Sequence, residues 1–186
     1  MSEEAKSKKK TRRREILEWV VCFAVAFALA IFIRVFVFEF IRVEGPSMES
    51  TLIENEYMFV TKPEFIFGDP NRGDVIVCHY PDSTLEFVKR VIGLPGDTIQ
   101  VMGGGVFIND HKLEEPYLDE LMLRDFGPYT VPDGKYFVMG DNRNVSMDSR
   151  DPHVGALERN MIIGHVRAVV WPLKDMRWIN EIPVLD

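Results

Sequence analysis

Residues 74–97 read DVIVCHYPDSTLEFVKRVIGLPGD. Two short runs rich in β-branched and aromatic side chains, Asp74–Tyr80 and Phe87–Ile92, are separated by Pro81-Asp82-Ser83 and closed by Leu94-Pro95-Gly96-Asp97. Runs of this length between turn residues predict successive strands. Strand alternation puts Phe87, Lys89 and Val91 on one face and Val88, Arg90 and Ile92 on the other. A lysine flanked on its own face by Phe and Val is a candidate for burial, which lysine rarely accepts unless paired or functional. The plainer reading is an edge-strand lysine that snorkels or blocks aggregation.

The same texture extends to either side. Phe40–Val43, Tyr57–Thr61, Thr98–Val101, Val106–Ile108, Tyr136–Met139 and His165–Trp171 are further candidate strands, with turns at Gly68-Asp69-Pro70-Asn71 and Pro132-Asp133-Gly134. Val101-Met102-Gly103-Gly104-Gly105-Val106 reads as a hairpin; no Gly-Lys-Ser/Thr follows, so it is not a phosphate loop. Residues 40–186 are therefore expected to form one mainly β domain, an antiparallel barrel or sandwich.

Upstream the pattern changes. Every residue from Trp19 to Ile33 is apolar, and after Arg34 the chain resumes Val-Phe-Val-Phe. Trp19–Phe38 as a helix is about 30 Å long, the thickness of a bilayer's hydrocarbon core. A cleavable signal peptide has a shorter apolar part ending in small residues, whereas Arg34, Glu39 and Arg42 flank this run, so a retained span is the better reading. Before it, seven basic residues stand against two acidic ones in residues 1–14. The expected organisation is a basic cytoplasmic tail (1–15), a transmembrane helix (16–39) and an extracytoplasmic domain (40–186) of a single-pass cell-membrane protein. The 186 residues carry a net charge of −7 with 46% hydrophobic and 27% charged residues, which excludes a broadly disordered chain and argues against nucleic acid as partner. Cys22 lies in the span and Cys78 in the body, so no disulfide is expected.

No metal or cofactor is expected. His79, His111, His153 and His165 are widely spaced, without HxxxH or CxxC, and no GxSxG occurs. What remains is a hydroxyl and an amine. Ser47 follows Gly45-Pro46 in a turn, nine residues beyond Phe38 and so within about 30 Å of the span's end; taken alone it is an ordinary turn serine. A free lysine amine, of pKa about 10.4, is neutral in about one molecule in a few thousand at pH 7; desolvation lowers that pKa and makes the amine a usable base. An amine within reach of Ser47 Oγ would take its proton during attack on a carbonyl, without histidine or metal.

Four blocks, in order, carry a resemblance to type I signal peptidases, in particular the short single-span kind of Gram-positive bacteria. They are Gly45-Pro46-Ser47-Met48 with Thr51-Leu52; Arg72-Gly73-Asp74-Val75-Ile76-Val77; Lys89-Arg90-Val91-Ile92-Gly93-Leu94-Pro95-Gly96-Asp97; and Gly140-Asp141-Asn142-Arg143 with Ser146 and Asp148-Ser149-Arg150. The resemblance implies a barrel-like β catalytic domain of the signal peptidase type. It implies a membrane-bound serine endopeptidase that removes signal peptides from exported preproteins after small residues, with membrane lipid as its surroundings. Ser47 would be the acylating nucleophile and Lys89 the general base; Ser146 would hydrogen-bond and orient the amine. Asp141 with Arg90, and Asp148 with Arg150, match ion pairs that brace the site. Ile41, Val43, Leu52 and Val88 match shallow apolar pockets, and Met48, Glu86 and Phe87 are expected to contact substrate beside them. Gly45 stands, as in many Gram-positive members, where some relatives carry a serine hydroxyl donor; the chain departs from the pattern at Ser50 (usually Pro), at Val145 (usually Asn) and in Asp151–Gly155. Two other functions are open to such a chain: a related Ser/Lys protease acting on another membrane substrate, and a non-catalytic tethered β domain that binds partners.

Overall fold

The computed structural model describes residues 3–179. The chain divides into two compact units, with the boundary between Phe38 and Glu39. The first is α1 (Glu3–Phe36), whose segment Arg12–Phe36 is long and apolar enough to cross a membrane. Its apolar side chains lie exposed around the helix; Trp19, Phe23 and Phe27 are examples.

The second unit is built on two antiparallel sheets. The larger has the strand order β1 (Phe38–Arg42), β2 (Tyr57–Thr61), β11 (Ile162–Trp171), β3 (Val75–His79), β4 (Glu86–Gly93), β9 (Lys135–Met139) and β10 (Leu157–Glu158), with β12 (Arg177–Trp178) also paired to β11. The smaller runs β7 (His111–Lys112), β6 (Gly105–Ile108), β5 (Thr98–Met102), β8 (Phe126–Thr130). A short helix, α2 (Pro63–Phe67), follows β2.

Alternation along β3 explains the layering. Val75 and Val77 enter one buried cluster, with Val43, Met48, Leu52, Met58 and Val60, while Ile76 and Cys78 enter another on the opposite face, with Tyr80, Val91 and Val138. Burial on both faces makes β3 an interior strand, so its composition is almost wholly apolar, whereas β4 beside it carries Glu86, Lys89 and Arg90. A third cluster joins the sheets, setting Ile92, Phe137 and Met139 against Ile99, Val101 and Val106. All eight expected strands form, with no end displaced by more than three residues. β8, absent from the strands expected from sequence, carries Pro128 at the edge of its sheet, where a proline's missing N–H costs no ladder bond.

Candidate active site

The turn after β1 carries Ser47. Gly45 has φ +82°, open to glycine without strain, and the chain then winds one turn with the Leu52 and Thr51 amides donating to the Met48 carbonyl at 2.8 and 3.0 Å. That turn buries Met48 and Leu52 in the core and leaves Ser47 half-buried. Lys89 stands on β4 opposite Ile76 of β3. The expected facing holds: Phe87 and Val91 pack on the Ile76–Cys78 side, Val88 on the other.

Lys89 is 2% exposed, and its Nζ lies 2.8 Å from Ser47 Oγ and 2.8 Å from the Val88 carbonyl oxygen. Tyr80 and Phe87 stack at 4.0 Å with nearly parallel planes, their ring centres 6.0 and 5.9 Å from Nζ. Burial therefore pushes the lysine pKa below its ordinary value, opposed by Cys78 to the extent that its thiol ionises and by the carboxylates of Asp148 and Asp141. Burial also pushes the Cys78 thiol up to about 12, so this neighbour is uncharged near neutrality. A neutral amine here donates one N–H to the Val88 carbonyl and turns its lone pair to the Ser47 hydroxyl, the arrangement a general base needs.

The bracing residues converge. The Arg90 guanidinium grips Asp141 with Nε and Nη2 at 2.9 and 2.7 Å, both side chains fully buried, and also donates to the Gly73 carbonyl at 2.8 Å. The Thr51 hydroxyl donates to the same Asp141 carboxylate. One clamp thus ties the strand of the lysine to the turn of the serine. Asp148 pairs with Arg150 at 2.8 Å and accepts from the Gly140 amide at 3.0 Å, while the Asn142 amide donates to the Ser47 carbonyl at 3.1 Å.

Ser146 lies close by, but the bond expected from it to Lys89 is not formed: its buried hydroxyl has no hydrogen-bond partner among the described residues. The lysine is directed at Ser47 and Val88 instead, and Ser146 packs where a side chain on Gly140 would stand. A Cβ built there would meet Ser146 Oγ at 2.3 Å and the Ser47 carbonyl oxygen at 2.4 Å. Ser50 has φ +82°, which a proline ring cannot adopt, and its hydroxyl donates to the Tyr117 carbonyl at 2.8 Å.

A groove of about 460 Å³ runs up to the pair, with walls from residues 39–45 and 84–88 and with Ser47, Met48, Val77 and Lys89 completing its lining. Ile41, Val43, Met48, Glu86, Phe87 and Val88 all line it. Leu52, expected beside them, is fully buried within the core cluster of Val43 and Met48.

Sequence reasoning gave no role to several residues around the site. Tyr117 packs its ring 4.1 Å from the Arg90 guanidinium, and Glu115 pairs with the buried Arg143. Their partners are distant in sequence, so no local pattern marks them. Tyr80 was legible in principle, because alternation along β3 sets it on the face of Ile76 and Cys78. Among the described residues no cluster of His, Cys, Asp and Glu could hold a metal ion.

The family described as Signal peptidase, peptidase S26 matches residues 16–171. Signal peptidase I of Bacillus licheniformis is 41% identical over 95% of this chain and 98% of its own. Signal peptidase I S of Bacillus subtilis is 40% identical over 94% of this chain and 100% of its own. A solved signal peptidase I from Enterococcus faecalis is 34% identical, aligned over 52% of this chain and 95% of that one, with a TM-score of 0.46. With a family match across most of its length and relatives at this identity, the chain belongs to the signal peptidase family, peptidase S26.

Proposed function

We propose that this signal peptidase cuts preprotein signal peptides with Ser47 as nucleophile and Lys89 as general base. The observation that carries the reading is the 2.8 Å separation of Ser47 Oγ and Nζ with the amine 2% exposed. In its neutral form, which desolvation favours, the amine takes the hydroxyl proton as Oγ attacks the scissile carbonyl. The resulting ammonium returns that proton to the leaving amine, and the same base then activates the water that hydrolyses the acyl-enzyme. The Ser47 amide is the proposed oxyanion donor. Gly45 has no side chain to add a second, and the space beside it is open, with nothing within 4 Å of a Cβ built there.

The substrate lies extended in the groove between residues 39–45 and 84–88, adding its backbone as a strand. Ile41, Val43 and Val88 wall shallow apolar pockets, which suit small side chains before the cut. Leu52 supports those pockets from within the core. The N-terminal helix anchors the enzyme in a membrane; the basic tail before it favours a cytoplasmic N-terminus with the catalytic unit on the other side.

The test uses the full-length protein in detergent with a preprotein substrate. Ser47→Ala and Lys89→Ala each abolish cleavage while the melting temperature stays at or above that of the parent. Cleavage that survives in either variant rejects the dyad.

A further inference from the structure

Between Ser146 and Asp148 the chain has little to hold it. Val145 and Met147 turn their side chains outward, 61% and 53% exposed, so neither anchors the segment through burial. The flanks are fixed: the Ser146 amide donates to the Asn142 carbonyl at 3.0 Å, and Asp148 caps the Gly140 amide. At Met147 itself the tie is a hydrogen bond from the Tyr80 hydroxyl to its carbonyl oxygen, 2.6 Å long. Tyr80 is 5% exposed, and the ring that carries this hydroxyl is the one stacked on Phe87 above the lysine amine.

We propose that the Tyr80 hydroxyl is a positioning group of the active site, a strut that holds the Ser146–Asp148 segment against Lys89 through the Met147 carbonyl. The proposal rests on Lys89 being the base. Burial pushes the Tyr80 hydroxyl's pKa upward, so it remains a donor across the working pH range. The ring alone shields one side of the amine; the strut adds the segment that closes another and keeps water from it. The charged or titratable groups facing Lys89 are Cys78 from β3 and, from the loop after β9, Asp141 and Asp148, which are held by Arg90 and Arg150. Replacing the hydroxyl removes none of these groups and leaves the Arg90 and Arg150 partners of both carboxylates in the chain.

Tyr80→Phe keeps the ring and deletes the strut. Full-length Tyr80→Phe should cleave a preprotein with kcat lowered about tenfold, the scale of one lost hydrogen bond of about 1.4 kcal/mol, and KM within about twofold of the parent. The deciding readout is the pH profile of kcat. Water admitted to the amine raises its pKa, so the acid limb should move to higher pH; Tyr80→Leu, which removes the ring as well, should move it further. Tyr129→Phe, in the cluster of Phe126 and Phe137, should leave it in place. An unmoved acid limb in Tyr80→Phe overturns the proposal, whether or not kcat falls, because a merely structural loss lowers activity without retuning the base. Lys89→Ala measured alongside separates the two levels: if it is inactive while Tyr80→Phe matches the parent, the strut fails and the dyad stands, and if it is active the dyad fails.

Discussion

Adding one methyl group at Gly140 should disable the enzyme. The new Cβ would fall 2.4 Å from the Ser47 carbonyl oxygen, 2.3 Å from Ser146 Oγ and 2.5 Å from Ser146 Cβ, where ordinary contact begins near 3.4 Å. The Ser47 backbone must therefore retreat by about 1 Å, against the hydrogen bond that its carbonyl accepts from Asn142. Overpacking of this kind costs about 1–3 kcal/mol of stability. The catalytic loss should be larger, since a misplacement of about 1 Å at a reacting group costs about 10²-fold. Preprotein cleavage by Gly140→Ala, followed as kcat/KM beside thermal unfolding, should show both effects. The control is Gly105→Ala, whose Cβ would meet the Lys112 Cε at 3.2 Å, the far end of a flexible side chain; it should cleave like the parent. A Gly140→Ala enzyme within about threefold of the parent kcat/KM would refute the packing argument, given the far larger loss expected from such a misplacement.

Other outcomes follow from the same contacts. Because burial lowers the Lys89 pKa from its ordinary 10.5, the unfolded chain binds more protons than the folded one between the lowered value and 10.5, and stability rises with pH across that window. Lys89→Met should accordingly raise the melting temperature near neutral pH, by a margin that shrinks as the pH approaches 10.5; a margin independent of pH would contradict the assignment. Cleavage by the parent should fall as the pH drops through the lysine's lowered pKa, visible as an acid limb in kcat when chemistry limits the rate. Asp141→Asn strands the buried Arg90 charge and should cost about 3–5 kcal/mol in urea unfolding, with the double variant Arg90→Met, Asp141→Leu losing less than that. Ser50→Pro forces a ring into φ +82° and deletes the hydroxyl bound to Tyr117, so it should destabilise by more than about 1 kcal/mol in the same assay.

How far the sequence could be read depended on the range of the interaction. The strands and the span were legible because alternation and apolar run length are local properties. The Phe87, Lys89, Val91 face followed from the same period, and with it the candidate base. Pairing Lys89 with Ser47, 42 residues away, came from chemistry and from the order of the four blocks, not from pattern alone. The clamp among Arg90, Asp141 and Thr51 was half legible: the ion pair was expected, while the threonine's part depends on how the turn after β1 winds back. Ser146 shows the limit most clearly. Its position near the serine turn was anticipated, but its hydroxyl, beside Gly140, has no hydrogen-bond partner among the described residues. Tyr117 and Glu115 had no signal, since their partners lie on β4 and in the loop after β9.

The shielded amine also says something about descent. A lysine sealed beneath two aromatic rings is among the first residues that drift toward greater robustness would discard, since an aliphatic side chain would fill the same volume without desolvating a charge. If Lys89 is the base proposed above, turnover and hardiness pull in opposite directions at this one position. Campaigns to toughen this enzyme by directed evolution will need an activity screen at every round, or they will find the substitution that makes it sturdy and inert.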